Sequence, residues 1–423
     1  MILRVFSFLL LLLTARCLYA QSEQSFITTQ KAEEAGLSEA RLSHIDRLLE
    51  QGVKDQHIPG AVALIVRNGK IAYYKAFGYS DIEKKSRVKR DDIFRIASQS
   101  KAITSLAVMM LWEEGRFLLD EPVSKYIPEF KNPKVLKSFN NDDSTYTTEP
   151  ATREITIRHL LTHSSGIDYA VIGSQDFKAI YAKAGIPSGI GNDRELLADK
   201  MKLLGGLPLK HQPGERFTYG LNTDVLGYLV EVWSGVSFDQ FLKTRIFDPL
   251  GMKDTYFYLP KNKHDRLVSL HGNKDGKVYK MVSGAYDAMD TDYPKLKGTY
   301  FSGGAGLSST VEDYARFLQL FLNKGEFNGV RLLGRKTVEL MLTDQLPDMD
   351  SEFGLGFGLE THKNDFRSPF SLGSFSWGGA FSTQYWADPK ENLIGVIYTN
   401  VYNNPHGYIA EKFKVLTYQA IVD

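Results

Sequence analysis

Phe94-Arg95-Ile96-Ala97-Ser98-Gln99-Ser100-Lys101 is the stretch whose reading decides the fold. It joins a short β-rich run to a segment carrying Ile103, Leu106, Ala107, Met110 and Leu111. That helical spacing predicts a buried amphipathic helix from Ser98 to about Gly115. A serine at a helix start has free backbone N–H groups and the positive end of the dipole beside it. Lys101 follows one turn later on the same face, and an ammonium stripped of water gives up its proton more readily. Two readings of these residues stand. Ser98 is a nucleophile with Lys101 as its partner, or Ser98 caps the helix and Lys101 is an exposed first-turn residue. A second Ser-x-x-Lys, Ser86-Arg87-Val88-Lys89, lies in a charged stretch with no apolar periodicity after it and reads as a solvated turn.

Working outward, residues 38–51 place Leu42, Ile45, Leu48 and Leu49 at helical spacing, with Ser38 as N-cap and Gly52 as stop. Residues 61–66 and 71–77 are β-rich runs joined by Arg67-Asn68-Gly69-Lys70, and Asn-Gly tolerates the positive φ angles of a tight hairpin turn. Residues 383–386 and 393–398 repeat the strand pattern, and residues 406–420 predict a closing helix. Between these ends the chain is mostly helical, with residues 140–152 a polar loop and 185–193 rich in glycine. Strands at both termini with helices between predict an α+β sandwich: one antiparallel sheet flanked by helices, with a mostly helical region inserted at about residues 100–350. No repeat or low-complexity linker divides residues 21–423.

Residues 1–20 read as a secretory signal peptide: Arg4, an apolar run from Val5 to Leu13, then Leu18-Tyr19-Ala20 before Gln21. The run is short for a membrane span, so an uncleaved anchor is the weaker alternative. The expected destination is secretion, to a periplasm. Cys17 is the single cysteine, and removal of the leader would take disulfide, thiolate and Cys–metal chemistry with it. Lys and Arg total 51 against 50 Asp and Glu, a net charge of +1 that argues against a nucleic-acid partner. No cofactor or metal is expected. His159 and His163 stand at i, i+4, but no third ligand and no His-Glu-x-x-His accompanies them. A Gly-x-Ser-x-Gly elbow occurs nowhere in the chain.

Further landmarks follow in order. They are Ile157-Arg158-His159-Leu160-Leu161-Thr162-His163-Ser164-Ser165-Gly166-Ile167, Pro213-Gly214-Glu215-Arg216-Phe217-Thr218-Tyr219 and Asp248-Pro249-Leu250-Gly251-Met252. Then come Gly303-Gly304-Ala305-Gly306-Leu307-Ser308-Ser309-Thr310, Phe353-Gly354-Leu355-Gly356-Phe357-Gly358 and Trp377-Gly378-Gly379. With residues 94–101, this ordered set resembles the serine β-lactamase/penicillin-binding-protein superfamily, in its class C β-lactamase-like branch. The resemblance implies a β-lactamase/transpeptidase-like fold and an acyl-enzyme mechanism. Ser98 would be acylated, Lys101 would assist it, and Tyr219 would shuttle the proton. The backbone N–H groups of Ser98 and Ala380 would form the oxyanion hole, with Gly378 and Gly379 letting a strand edge approach closely.

Two motifs depart from the usual pattern. Tyr-x-Asn reads Tyr219-Gly220-Leu221, with Asn222 one place late as the remaining candidate for the substrate amide. Where the family carries a Lys or His that holds the substrate carboxylate, Trp377 stands, and indole cannot replace that charge. Trp-Gly-Gly resembles the family VIII-type carboxylesterases, so the expected substrate is a small neutral ester with Trp377 as an apolar wall. The alternatives are a β-lactamase or D-amino-acid peptidase/amidase of the same fold, or a receptor that acylates without turnover. Residues 169–207 and 265–300 should rim the cleft, and Tyr169, Phe177, Tyr181, Tyr286, Tyr293 and Tyr300 suit either an acyl pocket or the core.

Overall fold

The computed structural model describes residues 26–284 and 289–423, so the leader, Cys17 and Tyr286 lie outside the described residues. Among the described residues the main sheet has eight strands: β1 (Ile27–Thr28), β2 (Gly60–Arg67), β3 (Lys70–Asp81), β4 (Ser86–Arg87), β5 (Gly358–Leu359), β6 (Phe375–Gly379), β7 (Thr383–Asp388) and β8 (Leu393–Tyr398). Neighbours run β1-β3-β2-β8-β7-β6-β5, with β4 paired to β3. The first and last parts of the chain meet where β2 pairs antiparallel with β8, Leu64 opposite Val396. The sheet is antiparallel as expected, except that β1 adds to β3 in parallel. Asn68 and Gly69 take φ of 52° and 71°, the two positive angles that the hairpin between β2 and β3 needs.

Every residue of β2 and of β8 is buried, because both faces of the sheet are covered. Period-two alternation divides them. Ala61, Ala63 and Ile65 face helices α1 (Glu39–Lys54) and α5 (Tyr408–Tyr418), packing with Leu42, Ile45, Leu49, Ile409 and Phe413. Val62, Leu64 and Val66 face the inserted region, with Ile103, Leu106 and Ala107 of α2 (Ser100–Glu113), Val225 and Leu229 of α3 (Asn222–Ser234) and Phe317 of α4 (Val311–Leu322). Each of the larger side chains among these (Val, Leu, Ile and Phe) contributes roughly 1.5–3 kcal/mol on burial. Among the described residues, no helix is long and apolar enough to cross a membrane.

Three local expectations are corrected. The residue-98 helix begins two residues later: Ala97–Gln99 is a 3-10 turn and α2 starts at Ser100. That helix is buried all round from Ser100 to Leu111 rather than amphipathic, because it passes through the middle of the molecule. Gly52 does not stop α1. The helix continues to Lys54, and Gly52 lies where the side chain of Ile409 on α5 comes close. Part of the polar loop at 140–152 is a strand, Tyr146–Pro150, paired with Lys134–Phe139. Its residues are exposed or only partly buried, so no apolar alternation marked it. Ser38 does cap α1, accepting from the Arg41 N–H at 3.3 Å.

The two-sided sheet makes a direct prediction. Leu64→Ala and Ile65→Ala, on opposite faces, each destabilise the protein by about 2–5 kcal/mol in denaturant unfolding. Exposed Ser86→Ala changes stability by less than about 0.5 kcal/mol. A near-neutral Ile65→Ala would contradict the packing of α1 and α5 on the outer face.

Candidate active site

Ser98 sits in the 3-10 turn Ala97–Gln99, half-buried, at the mouth of α2. The preceding Ala97 has φ of 44°, a left-handed conformation that strains a residue with a Cβ. The surroundings hold the turn on every side. Ile96 N–H donates to Leu307 O at 3.0 Å, and the Tyr314 hydroxyl donates to Gln99 O at 2.9 Å. From β8, the Tyr398 hydroxyl donates to Gln99 Oε1 at 2.7 Å. The Ser100 hydroxyl closes the turn onto Ala97 O at 2.7 Å. A strained loop needs such fixing, since otherwise it relaxes and carries its serine away.

Lys101 is not an exposed first-turn residue. It is only 2% exposed, and its ammonium donates to Gly304 O at 2.7 Å, Tyr169 Oη at 2.8 Å and Ser98 Oγ at 3.4 Å. The serine hydroxyl thus receives the longest of three bonds from a cation already anchored by two others. Tyr219 meets that cation through its ring: Nζ lies 4.6 Å from the ring centroid, and 5.4 Å from that of Tyr169. The Tyr219 hydroxyl accepts from the Trp377 indole N–H at 3.4 Å. Ser98, Lys101, Tyr219 and Trp377 are therefore brought together, with two tyrosines flanking one ammonium.

Trp377, Gly378 and Gly379 end β6, where Gly379 pairs with Thr383 of β7. The strand runs so close to the Ser98 turn that a Cβ on Gly379 would collide with the carbonyl oxygen of Ile96. The Thr383 hydroxyl donates to that same oxygen at 3.3 Å. Ala380 follows, exposed, so the end of β6 and the Ser98 turn border one cleft. Gly379→Ala must push them apart. It should lower kcat/KM on an aryl ester about 100-fold, from a shift of about 1 Å, while denaturant stability falls far less in proportion. Steady-state kinetics beside an unfolding curve checks this, and unchanged kinetics would refute the close approach.

Asn222, expected at the substrate amide, has its own amide engaged within the protein. It is fully buried in the first turn of α3, where its amide N–H donates to His163 Nδ1 at 3.0 Å and its carbonyl accepts from the Ser165 hydroxyl. Leu221, also buried, leaves no amide at the usual place. His163 is packed 4.9 Å from the Tyr219 ring, and its burial first, then the nearby Lys101 charge, hold it neutral well below the ordinary imidazole range. His159 instead caps its helix, Nδ1 accepting from the Thr156 N–H at 3.2 Å. The two imidazoles thus serve separate structural tasks.

Two participants escape the motif reading. Tyr169, which reads as a rim aromatic, bonds Lys101, and Gly304 supplies a backbone carbonyl that no side-chain pattern reveals. The glycine-rich spelling of residues 303–306 is the available signal, since a bare backbone can approach closely. Phe177, Tyr181, Tyr293 and Tyr300, grouped with Tyr169 in the sequence, are buried in the core.

Known proteins place this geometry. Esterase EstB of Burkholderia gladioli is 28% identical over 372 residues, covering 85% of this chain and 90% of its own length. Lovastatin esterase of Penicillium rubens is 30% identical over 383 residues, covering 83% and 91%. The solved structure of EstCE1, described as a hydrolase with promiscuous acyltransferase activity, superposes with a TM-score of 0.78 at 25% identity, covering 90% of this chain and 99% of that one. The Beta-lactamase family model matches residues 45–418, and with the fold and the residues around Ser98 in place, the chain belongs to the beta-lactamase family.

Proposed function

We propose that this protein is a secreted serine hydrolase acting on small, neutral carboxylic esters through an acyl-enzyme. The observation that carries the ester reading is the Trp377 indole against the Tyr219 hydroxyl, at the position where the family's cation would hold a substrate carboxylate. An indole N–H is a single neutral donor and offers such a carboxylate no charge. The fully buried Asn222 removes the other group expected to recognise an amide.

In this reading Tyr219 acts as a phenolate: Ser98 Oγ attacks the ester carbonyl carbon while its proton passes to the Tyr219 oxygen, which becomes a neutral phenol. The Lys101 ammonium, close above the Tyr219 ring, favours the phenolate that starts the step. The N–H groups of Ser98 and Ala380 receive the oxyanion. The carbonyl–alkoxide bond then breaks, Tyr219 returns the proton to the departing oxygen, and an alcohol leaves. Water attacks the Ser98 ester in turn, loses its proton along the same route, and releases a carboxylic acid with Ser98 restored. The core packing of Tyr219 against His163, Trp377 and Tyr169 keeps the phenol in place for both halves.

Labelling with a fluorophosphonate probe tests the nucleophile: wild type labels stoichiometrically and Ser98→Ala does not. No label on wild type sinks the enzyme reading, and equal label on both sinks Ser98. A panel of short-chain aryl esters, a chromogenic cephalosporin and D-amino-acid amides tests the substrate class. The expected order has kcat/KM for the best ester at least about 100-fold above the others, or about 2.7 kcal/mol. A cephalosporin preferred over every ester would reverse the assignment to a β-lactamase of the same fold.

The location is proposed from residues 1–20 alone. Expression with the natural leader, followed by N-terminal sequencing of the exported protein, should read from Gln21. Retention of Met1 in a membrane fraction would instead favour an anchor.

A further inference from the structure

The strongest unassigned group lies behind the ammonium. Asp224, in the first turn of α3, is 0% exposed, and neither carboxylate oxygen has a hydrogen-bond partner among the described residues. The Ser302 hydroxyl and the Gly304 N–H lie close enough to favour its charge, but neither meets hydrogen-bond geometry. A buried carboxylate without partners is costly and calls for an explanation. Gly304 supplies one. A methyl placed on its Cα would lie 2.6 Å from Asp224 Oδ2 and 3.4 Å from Lys101 Nζ, so carboxylate and ammonium face the same small space beside the bare glycine. We propose that Asp224 is a positioning residue, a buried counter-charge that holds Lys101 as an ammonium between Ser98 and Tyr219.

The proposal rests on the Ser98–Lys101–Tyr219 reading above and assigns the charge that this reading leaves uncompensated. Among the described residues, Lys101 is otherwise met by a carbonyl, two hydroxyls and two rings, none of them anionic. The groups facing Asp224 come from three elements. They are Lys101 from α2, Gly189 from the loop after residue 185, and Tyr300, Ser302 and Gly304 from one segment. Burial first, and Asp224 next, drive the Tyr300 phenol well above its ordinary range, so it stays neutral and Lys101 is the cation present. Burial pushes Asp224 up to about 6, with the Lys101 charge among the influences pulling it back. Above that pH the pair is carboxylate and ammonium. Below it, Asp224 takes a proton and Lys101 loses its counter-charge.

Two measurements test this. In the first, Asp224→Asn keeps the shape and removes the charge. It should lower kcat at least about tenfold with KM little changed, and should abolish the acidic limb of the kcat/KM profile near pH 6. An unaltered pH profile in this variant overturns the proposal, whatever the stability does. In the second, thermal unfolding is compared for wild type, Lys101→Met, Asp224→Asn and the double variant. A carboxyl raised above its unfolded value weakens the fold as pH rises through the folded value, and removing the ammonium deepens that loss. Lys101→Met should therefore lose more Tm at about pH 8 than at about pH 5, and adding Asp224→Asn should restore much of it. Simply additive losses overturn the proposal. This cycle needs no turnover, so it decides the pairing even if Ser98 takes no fluorophosphonate label. Retained label on Asp224→Asn separates failure of this proposal from failure of the nucleophile assignment.

Discussion

A single ammonium, withdrawn from water, organises the active cleft. Lys101 reaches Ser98 only because Gly304 O and Tyr169 Oη fix it from other sides. Remove both and the longest bond, the 3.4 Å contact to Ser98, has nothing to hold its direction. The burial of α2 on all sides follows from the same requirement. A lysine one turn into an ordinary surface helix would point into water, where solvent screens its charge. Here the helix runs through the core, so the charge acts over short distances in a medium of low polarity. That environment is also what makes an unpaired charge expensive, and glycine stands beside the cation at Gly304, where a Cβ would lie 3.4 Å from Lys101 Nζ.

The sheet supplies the complementary constraint. Strands β2 and β8 are buried on both faces; β8 delivers the Tyr398 hydroxyl to the Gln99 side chain, and neighbouring β7 delivers the Thr383 hydroxyl to the Ile96 carbonyl. The left-handed Ala97 is strained, and strain persists only where surrounding structure over-determines it. Hydrogen bonds from β8, β7, α4 and Leu307 do this, from regions far apart in sequence. The Ser98 turn is therefore a product of the completed fold rather than of its own residues. Ile96-Ala97-Ser98 has no glycine to adopt the conformation locally.

That distinction explains what the sequence made legible. Hairpin Asn68-Gly69 and the runs on either side encode their geometry locally, and they appear where their residues predict. The Ser98–Lys101 spacing likewise sets two groups on one helical face. Tyr169 and Gly304 were not legible in the same way, because their contacts with Lys101 bridge 68 and 203 residues. Nor was the fate of Asn222. A polar residue beside a motif reads as a substrate contact, but its burial against Ser165 and His163 depends on how α3 docks. The strand Tyr146–Pro150 failed for the opposite reason, since without a buried face it carries no period to detect.

Charge placement also argues for the chemistry. Tyr219 is walled by His163, Tyr169 and Trp377, and Phe353 lies against both His163 and Trp377. Burial keeps that imidazole neutral, so the wall adds no second cation to the one Lys101 provides. A substrate carboxylate entering here would shed its hydration and meet only the indole N–H in exchange, a poor trade in an environment that penalises unpaired charge. A neutral ester loses little on entry, and its charge arises only as the tetrahedral intermediate forms. Donors fixed beside the carbonyl then act on the transition state alone, which is where binding energy accelerates a reaction. Under the proposed function, Trp377 in place of a cation moves discrimination away from ground-state charge and toward the developing oxyanion, the feature that esters share with the family's other acyl substrates.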